Sequence, residues 1–165
     1  MERQECKTEI LRLLQQNARM PETEIAERLD VSEESVSELI REMEESRTII
    51  GYHAFVNEAY LHTEGVRAVI EVQIAPEREG GFDRLALSIS KFPEVRSAYL
   101  VSGQYDLRVE VTGSTLEEVA RFVSSKLATL EGVKSTATHF MLKKYKEAGF
   151  ILQRDEEHER LKITP

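Results

Sequence analysis

Ser102-Gly103-Gln104-Tyr105-Asp106 gathers open backbone, a phenol and a carboxylate within five residues. Such a set can hold a small polar molecule. It offers free backbone N–H groups, a phenol and a carboxylate that could pair with an amino group. The same residues also make an ordinary β-turn, because Gly and Asp are common turn residues. Both readings stand at this point. Little else resembles reaction chemistry. His53, His62, His139 and His158 are scattered and share no metal-ligand spacing, so no metal site and no catalytic set is assigned. Cys6 sits among helically spaced apolar residues and reads as a packed thiol. There is no G-x-S-x-G, no P-loop and no G-x-G-x-x-G, and the expectation is a non-enzyme without a cofactor.

A second constellation is geometric rather than reactive. A helix-turn-helix needs a small residue on its first helix so that the second can cross closely. It then needs a left-handed turn residue four positions on, and inward apolar residues on the second helix. Ala26, Asp30, Val36 and Leu39 fill these places, with Asp in the turn where Gly is usual. A plain three-helix bundle is the competing reading. The first 50 residues hold seven basic and thirteen acidic side chains, a local charge of −6. The second helix of the motif, Ser32 to Ser46, has Arg41 as its one cation against Glu33, Glu34, Glu38, Glu42, Glu44 and Glu45. Much of the affinity for DNA comes from neutralising phosphates, so this helix is poorly equipped as a clamp. It is expected to bind weakly alone and to gain affinity through several linked copies.

The elements that must carry these groups follow from hydrophobic period. Apolar residues at Cys6, Ile10, Leu13 and Leu14, at Ile25, Ala26 and Leu29, and at Val36, Leu39, Ile40 and Met43 predict three short helices. Pro21 suits the first turn of the second. Ser32 suits the N-cap of the third, with Glu33 and Glu34 favourably placed at the positive end of its dipole. From Ile49 the period becomes two, which predicts a connecting strand through Ile50, Tyr52, Ala54 and Val56. Residues 66–145 alternate strands and helices in the order βαββαβ, with the last strand running from Val133 to Tyr145. Phe92 to Ser97 resembles Leu130 to Ser135, a weak internal repeat at two helix ends. The pattern predicts a ferredoxin-like sheet with both helices on one face. Val69, Ala98, Leu100, Phe140 and Leu142 are expected on the opposite face. An uncovered apolar face there would favour sheet-to-sheet dimerisation.

The chain has 165 residues, 22 Lys plus Arg, 30 Asp plus Glu and a formal charge of −8. This excludes a generally basic nucleic-acid coat but not a local DNA-reading face. A single cysteine, the lack of long apolar runs and an opening MERQECKTEI without a signal-peptide core predict a cytoplasmic protein with no membrane partner. The expected organisation is a helix-turn-helix domain over 1–52, a linker strand and loop over 53–64, a βαββαβ domain over 65–149, and a charged tail over 150–165.

The ordered set Ile10-Leu-Arg-Leu-Leu14, Asn17-Ala-Arg19, Ile25-Ala26, Val31-Ser32, Val36, Ile49-Ile-Gly-Tyr52, Gly103-Gln-Tyr-Asp106, Leu130-Glu-Gly-Val133 and Tyr145-Lys-Glu-Ala-Gly149 resembles the Lrp/AsnC (leucine-responsive, or feast/famine) transcription regulators over residues 5–148. The resemblance implies an α+β fold. An N-terminal winged helix-turn-helix would bind double-stranded DNA, and a C-terminal ferredoxin-like domain would bind an effector and oligomerise. It implies homodimers that assemble further, often into octamers, and an amino acid or related metabolite held near the Gly-x-Tyr-Asp turn. Carried over by position, Gly103, Tyr105 and Asp106 become effector residues, with Thr136 and Thr138 as further candidates. Ser32, Ser35, Ser37 and Arg41 become DNA contacts, with Arg47 and Tyr52 flanking. The family usually has basic residues around Glu38, Leu39 and Glu42, and Gly at Asp30 and Arg47. A left-handed Gly cap is therefore missing at Arg47, and the helix is expected to end differently there. The expected function is an effector-responsive transcriptional regulator. The alternative is an oligomeric metabolite-binding or interaction protein whose acidic helix-turn-helix no longer binds DNA.

Overall fold

The computed structural model describes residues 2–56, 65–75 and 81–152. The chain divides into two compact units between Val56 and Asn57.

The first unit consists of α1 (Arg3–Gln16), α2 (Glu22–Leu29) and α3 (Glu33–Glu45). Their apolar stripes close one core: Cys6, Ile10, Met20, Ile25, Ala26, Val36, Leu39, Ile40 and Met43 are buried together. The start of α1 is fixed by a reciprocal capping box between Glu2 and Glu5. Pro21 stands one place earlier than expected. It is the N-cap of α2, in extended backbone, and its carbonyl accepts from Ile25 N–H. Asp30 ends α2 in the left-handed region, at φ 54°. Arg47 does the same after α3, at φ 58°. The N–H of Ile49 then reaches the carbonyl of Met43 at 2.9 Å. Arg47 thus takes up the backbone shape that Gly would adopt, and the expectation of a different helix end is corrected. The expected strand over Ile50–Val56 does not form either. A period-two pattern makes a strand only where a partner strand supplies its hydrogen bonds, and the rest of this unit is helical.

The second unit runs β1 (Val66–Ile74), α4 (Gly81–Ile89), β2 (Val95–Leu100), β3 (Leu107–Gly113), α5 (Leu116–Phe122), β4 (Val133–Phe140), β5 (Lys146–Glu147) and β6 (Phe150–Ile151). The Thr115 hydroxyl caps α5 by accepting from Glu118 N–H, and a π-helical turn over Val123–Leu127 extends the helix. The sheet order is β2-β3-β1-β4, with every pairing antiparallel. This is the ferredoxin-like arrangement the pattern predicted. Ala68, Ile70, Val72, Ile74, Leu107, Val109 and Val111 pack beneath Leu85 and Ile89 of α4 and Val119, Phe122 and Leu127 of the α5 segment. The last long strand stops at Phe140 rather than Tyr145. Lys146–Glu147 instead pair with Phe150–Ile151 in a short hairpin, turned by Ala148 and Gly149 at positive φ. Within the expected linker, residues 57–64 lie outside the described residues, as do 153–165 of the tail, together with His62 and His158.

The expected apolar outer face is not there. Residues directly opposite in an antiparallel pair share a face. Ala98 and Leu100 stand opposite Val109 and Leu107, and Phe140 stands opposite Ala68. All three therefore belong to the helix-covered face, and Leu142 lies beyond β4, 96% exposed. Only Val69 of the five is on the outer face. Its neighbours there are Glu71, Gln73, Arg108, Glu110, Thr112, Ser135, Ala137, His139, Ser97 and Tyr99. The cause is two β-bulges, between Val95 and Ser97 in β2 and beside Gln73/Ile74 where β4 pairs with β1. Each inserts one residue and reverses the parity of the strand beyond it.

Candidate DNA-reading helix and effector turn

α2, the left-handed Asp30 and α3 form the helix-turn-helix. Ala26 is buried at the crossing, as its small side chain requires, and the turn is tied by Val31 N–H to the Ala26 carbonyl at 3.1 Å. Ser32 caps α3: its hydroxyl oxygen accepts from Ser35 N–H at 3.2 Å. Ser37, Arg41 and Arg47 are exposed, and Ser35 is half-buried. Ser37, Arg41 and Tyr52 line one open cleft of about 390 Å³, over a floor of Leu14, Ala18, Met20 and Ile40. The Tyr52 hydroxyl donates to Glu44 Oε1 at 2.9 Å. Burial, then that bond and the charges of Glu44 and Glu22, push the phenol up to about 12. Of the six expected DNA residues, three thus share a cleft. Ser32 and Ser35 mark the start of α3, and Arg47 lies just past its end.

The helix is less acidic than its own sequence. Arg3 Nη2 lies 2.8 Å from Glu42 Oε2 and 3.3 Å from Glu38 Oε1, and Lys7 Nζ lies 2.7 Å from Glu42 Oε1. Lys7 first, then Arg3, hold the Glu42 carboxyl below its ordinary value. Sequence reasoning missed these partners because they stand 35 and 39 residues away, where no local spacing signals them.

The turn between β2 and β3 is pinned at several points. Val101 N–H donates to the Asp106 carbonyl at 2.9 Å, and Asp106 N–H to the Val72 carbonyl at 3.0 Å. The carboxylate of Asp106 accepts from Ile74 N–H through Oδ2 at 2.7 Å, so it extends the ladder where the sheet becomes irregular. Gln73 Nε2 donates to the Gln104 carbonyl at 2.9 Å, and Gln73 Oε1 accepts from the Ser135 hydroxyl at 2.8 Å. Gly103 has φ 146°, and nothing lies within 4 Å of where a Cβ would stand. The conformation, not crowding, asks for Gly there. Gly103, Tyr105 and Asp106 therefore share one turn. Thr136 and Thr138 do not join it: they stand opposite Val72 and Ile70, on the helix-covered face and across β1 from β3. The residues that do join it, Gln73 and Ser135, had no sequence signal beyond lying in strands. Among the described residues, no group of three His, Cys, Asp or Glu is arranged to hold a metal ion, and no helix is long and apolar enough to cross a membrane.

Two family models match. Residues 7–50 match a winged helix-turn-helix DNA-binding domain, and residues 67–150 match the Lrp/AsnC ligand-binding domain. An HTH-type transcriptional regulator of Bacillus subtilis, YugG, is 41% identical over 162 residues, covering 98% of each chain. Among solved structures, the Neisseria meningitidis transcriptional regulator NMB0573, solved with L-Met, is 26% identical with a TM-score of 0.61, over 86% of this chain and 91% of that one. Escherichia coli AsnC shares the fold at a TM-score of 0.62 and 21% identity, over 90% of this chain and 97% of that one. With both domains matched in order and a relative similar over nearly its whole length, the chain belongs to the Lrp/AsnC family of DNA-binding transcriptional regulators with a ligand-binding domain.

Proposed function

We propose that this regulator changes its DNA occupancy when an amino acid, or a close metabolic relative, binds at the turn of Gly103, Tyr105 and Asp106. The observation that carries this reading is the turn itself. Gln73 and Asp106 hold it rigidly against β1, while the space around Gly103 stays open. A rigid turn with open backbone is pre-organised, so a ligand there loses little energy in ordering it. The amino acid bound by the N. meningitidis neighbour supports the ligand class. Asp106 Oδ2 is occupied by Ile74 N–H, which leaves Oδ1 as the oxygen for the ligand's ammonium group. Thr136 and Thr138 enter only if a ligand reaches the helix-covered side of β4.

On the DNA side, Ser32, Ser35, Ser37 and Arg41 are the contacts of α3, with Arg47 and Tyr52 at its far end. The protein acts as a homodimer or a larger, octameric assembly, so that several weakly charged helices engage spaced half-sites together. The exposed apolar side chains of Leu100, Leu142 and Ile151 in the second unit support self-association. The polar outer sheet face does not add to that support.

The test is selection of bound fragments from the native genome, with and without a pool of free amino acids, together with light scattering at micromolar protein. The expected result is a discrete set of fragments whose occupancy shifts with one amino acid, from a particle of at least two chains. No fragment enriched under either condition would overturn the reading.

A further inference from the structure

α3 has an inner stripe of Val36, Leu39, Ile40 and Met43. At about 100° per residue, Glu34, Glu38, Arg41 and Glu45 then fall on its outward side, and Glu42 on the flank next to them. This is the side a DNA backbone would meet, and every uncompensated carboxylate on it repels phosphates whatever the base sequence. Two of these carboxylates are answered from another helix. Arg3 of α1 bridges Glu38 and Glu42, and Lys7 takes the second oxygen of Glu42. Arg3 and Glu38 are each 58% exposed, so their pairing does little for folding stability. Its main consequence is on the potential of the surface.

We propose that Arg3 and Lys7 are a built-in charge mask for the DNA-reading face: by pairing with Glu38 and Glu42 they reduce repulsion between α3 and the phosphates of duplex DNA, and so set DNA affinity without contacting a base. The inference rests on α3 being the DNA-reading helix. It accounts for how a helix with one cation and six carboxylates serves that role. Arg3 reaches both carboxylates through a single nitrogen, Nη2. Salt weakens the mask along with DNA binding, because both lie within reach of mobile ions.

The experiment uses the full chain and a labelled 30-base-pair duplex of random sequence, read by fluorescence anisotropy at about 50 and 200 mM salt. Four proteins are compared: wild type, Arg3→Gln with Lys7→Gln, Glu38→Gln with Glu42→Gln, and all four changes together. Circular dichroism and thermal melting of each read folding separately. The basic pair of changes should weaken binding about fivefold at the lower salt, and the acidic pair should tighten it about as much. All four changes together remove two charges of each sign and should return binding to within about twofold of wild type. Arg3→Lys with Lys7→Arg, which keeps the charges, should retain most of the affinity and serves if the glutamine variant melts early. Binding by the quadruple variant as weak as that of the basic pair would overturn the proposal, since the cations would then act on DNA directly. No loss in the basic pair would do so too. If wild type bound neither this duplex nor any genomic fragment, the reading of α3 itself would fall, which is a different result from wild type and variants binding alike.

Discussion

The surface of α3 and the turn at residues 101–106 are held by different physics. Around α3 the long-range ties are ion pairs between exposed or half-buried side chains: Arg3 and Lys7 with Glu38 and Glu42. At the turn they are hydrogen bonds between half-buried side chains and backbone: Asp106 accepts from Ile74 N–H and Gln73 donates to the Gln104 carbonyl. Exposed ion pairs contribute about 0–1 kcal/mol each and are screened by salt. A bond between a carboxylate and a backbone N–H contributes about 1.5–3 kcal/mol and resists salt when partly buried. The difference teaches that the first region is adjustable in potential and the second is fixed in shape. A DNA backbone needs the right field over a broad surface. A small ligand needs atoms held within a fraction of an ångström.

The largest expected effect is on the rigid side. Asp106→Ala leaves Ile74 N–H without its acceptor, and should destabilise the second unit by about 2 kcal/mol in denaturant unfolding followed by fluorescence or circular dichroism. Unchanged stability would show that the carboxylate does not hold the turn, and the contrast between the regions would collapse. Gln73→Leu removes two hydrogen bonds of neutral groups and should cost about 1 kcal/mol by the same measurement, with little dependence on salt between about 50 and 500 mM. On the other side, Arg47→Gly should stabilise the helical unit by about 1 kcal/mol, because the left-handed backbone at φ 58° costs a side chain that much and Gly almost nothing. The gain must exceed the entropy that Gly adds to the unfolded chain, so a net loss would mean that the Arg47 side chain makes stabilising contacts.

The smallest effect is on pH. The Tyr52 phenol is raised from 10.0 to about 12 in the folded unit, by burial and then by Glu44. Below pH 10 the folded and unfolded chains are both protonated there, and the stability linked to Tyr52 is whole. It is lost as pH rises through 10 toward 12, where the unfolded chain has released a proton that the folded chain still holds. Tyr52 is 49% exposed, so solvent screening keeps the loss under about 1 kcal/mol. Thermal midpoints between pH 9 and 12 should fall less for Tyr52→Phe than for wild type, and equal falls would remove Tyr52 from the cleft's electrostatics.

Much of the helix-turn-helix was legible because its signals are local. Ser32 caps α3 three residues from the N–H it accepts, and Ala26 and Asp30 act within one turn of each other. Arg47 was misjudged because residue type alone suggests that only Gly turns left-handed, whereas the bond from Ile49 to Met43 holds Arg in that shape. In the second unit, the elements and their order were legible from apolar period and from Gly and Pro. The faces of the edge strands were not. Ala98 and Phe140 changed sides through one inserted residue each, and no alternation along a single strand records which neighbour skips a place.

By itself, then, the amino-acid sequence determined the three helices of the first unit, which helix stripe is buried, and the βαββαβ order that makes the ferredoxin-like sheet. These depend on interactions within a few residues and on a hydrophobic period that any compact packing must satisfy. Only the tertiary structure decided the partners of Glu38 and Glu42, the employment of Asp106 Oδ2 as an extra rung beside Ile74, and the polar character of the outer sheet face. Each of these joins groups tens of residues apart. Their meeting depends on register, and register is settled by all the strands and helices packing at once.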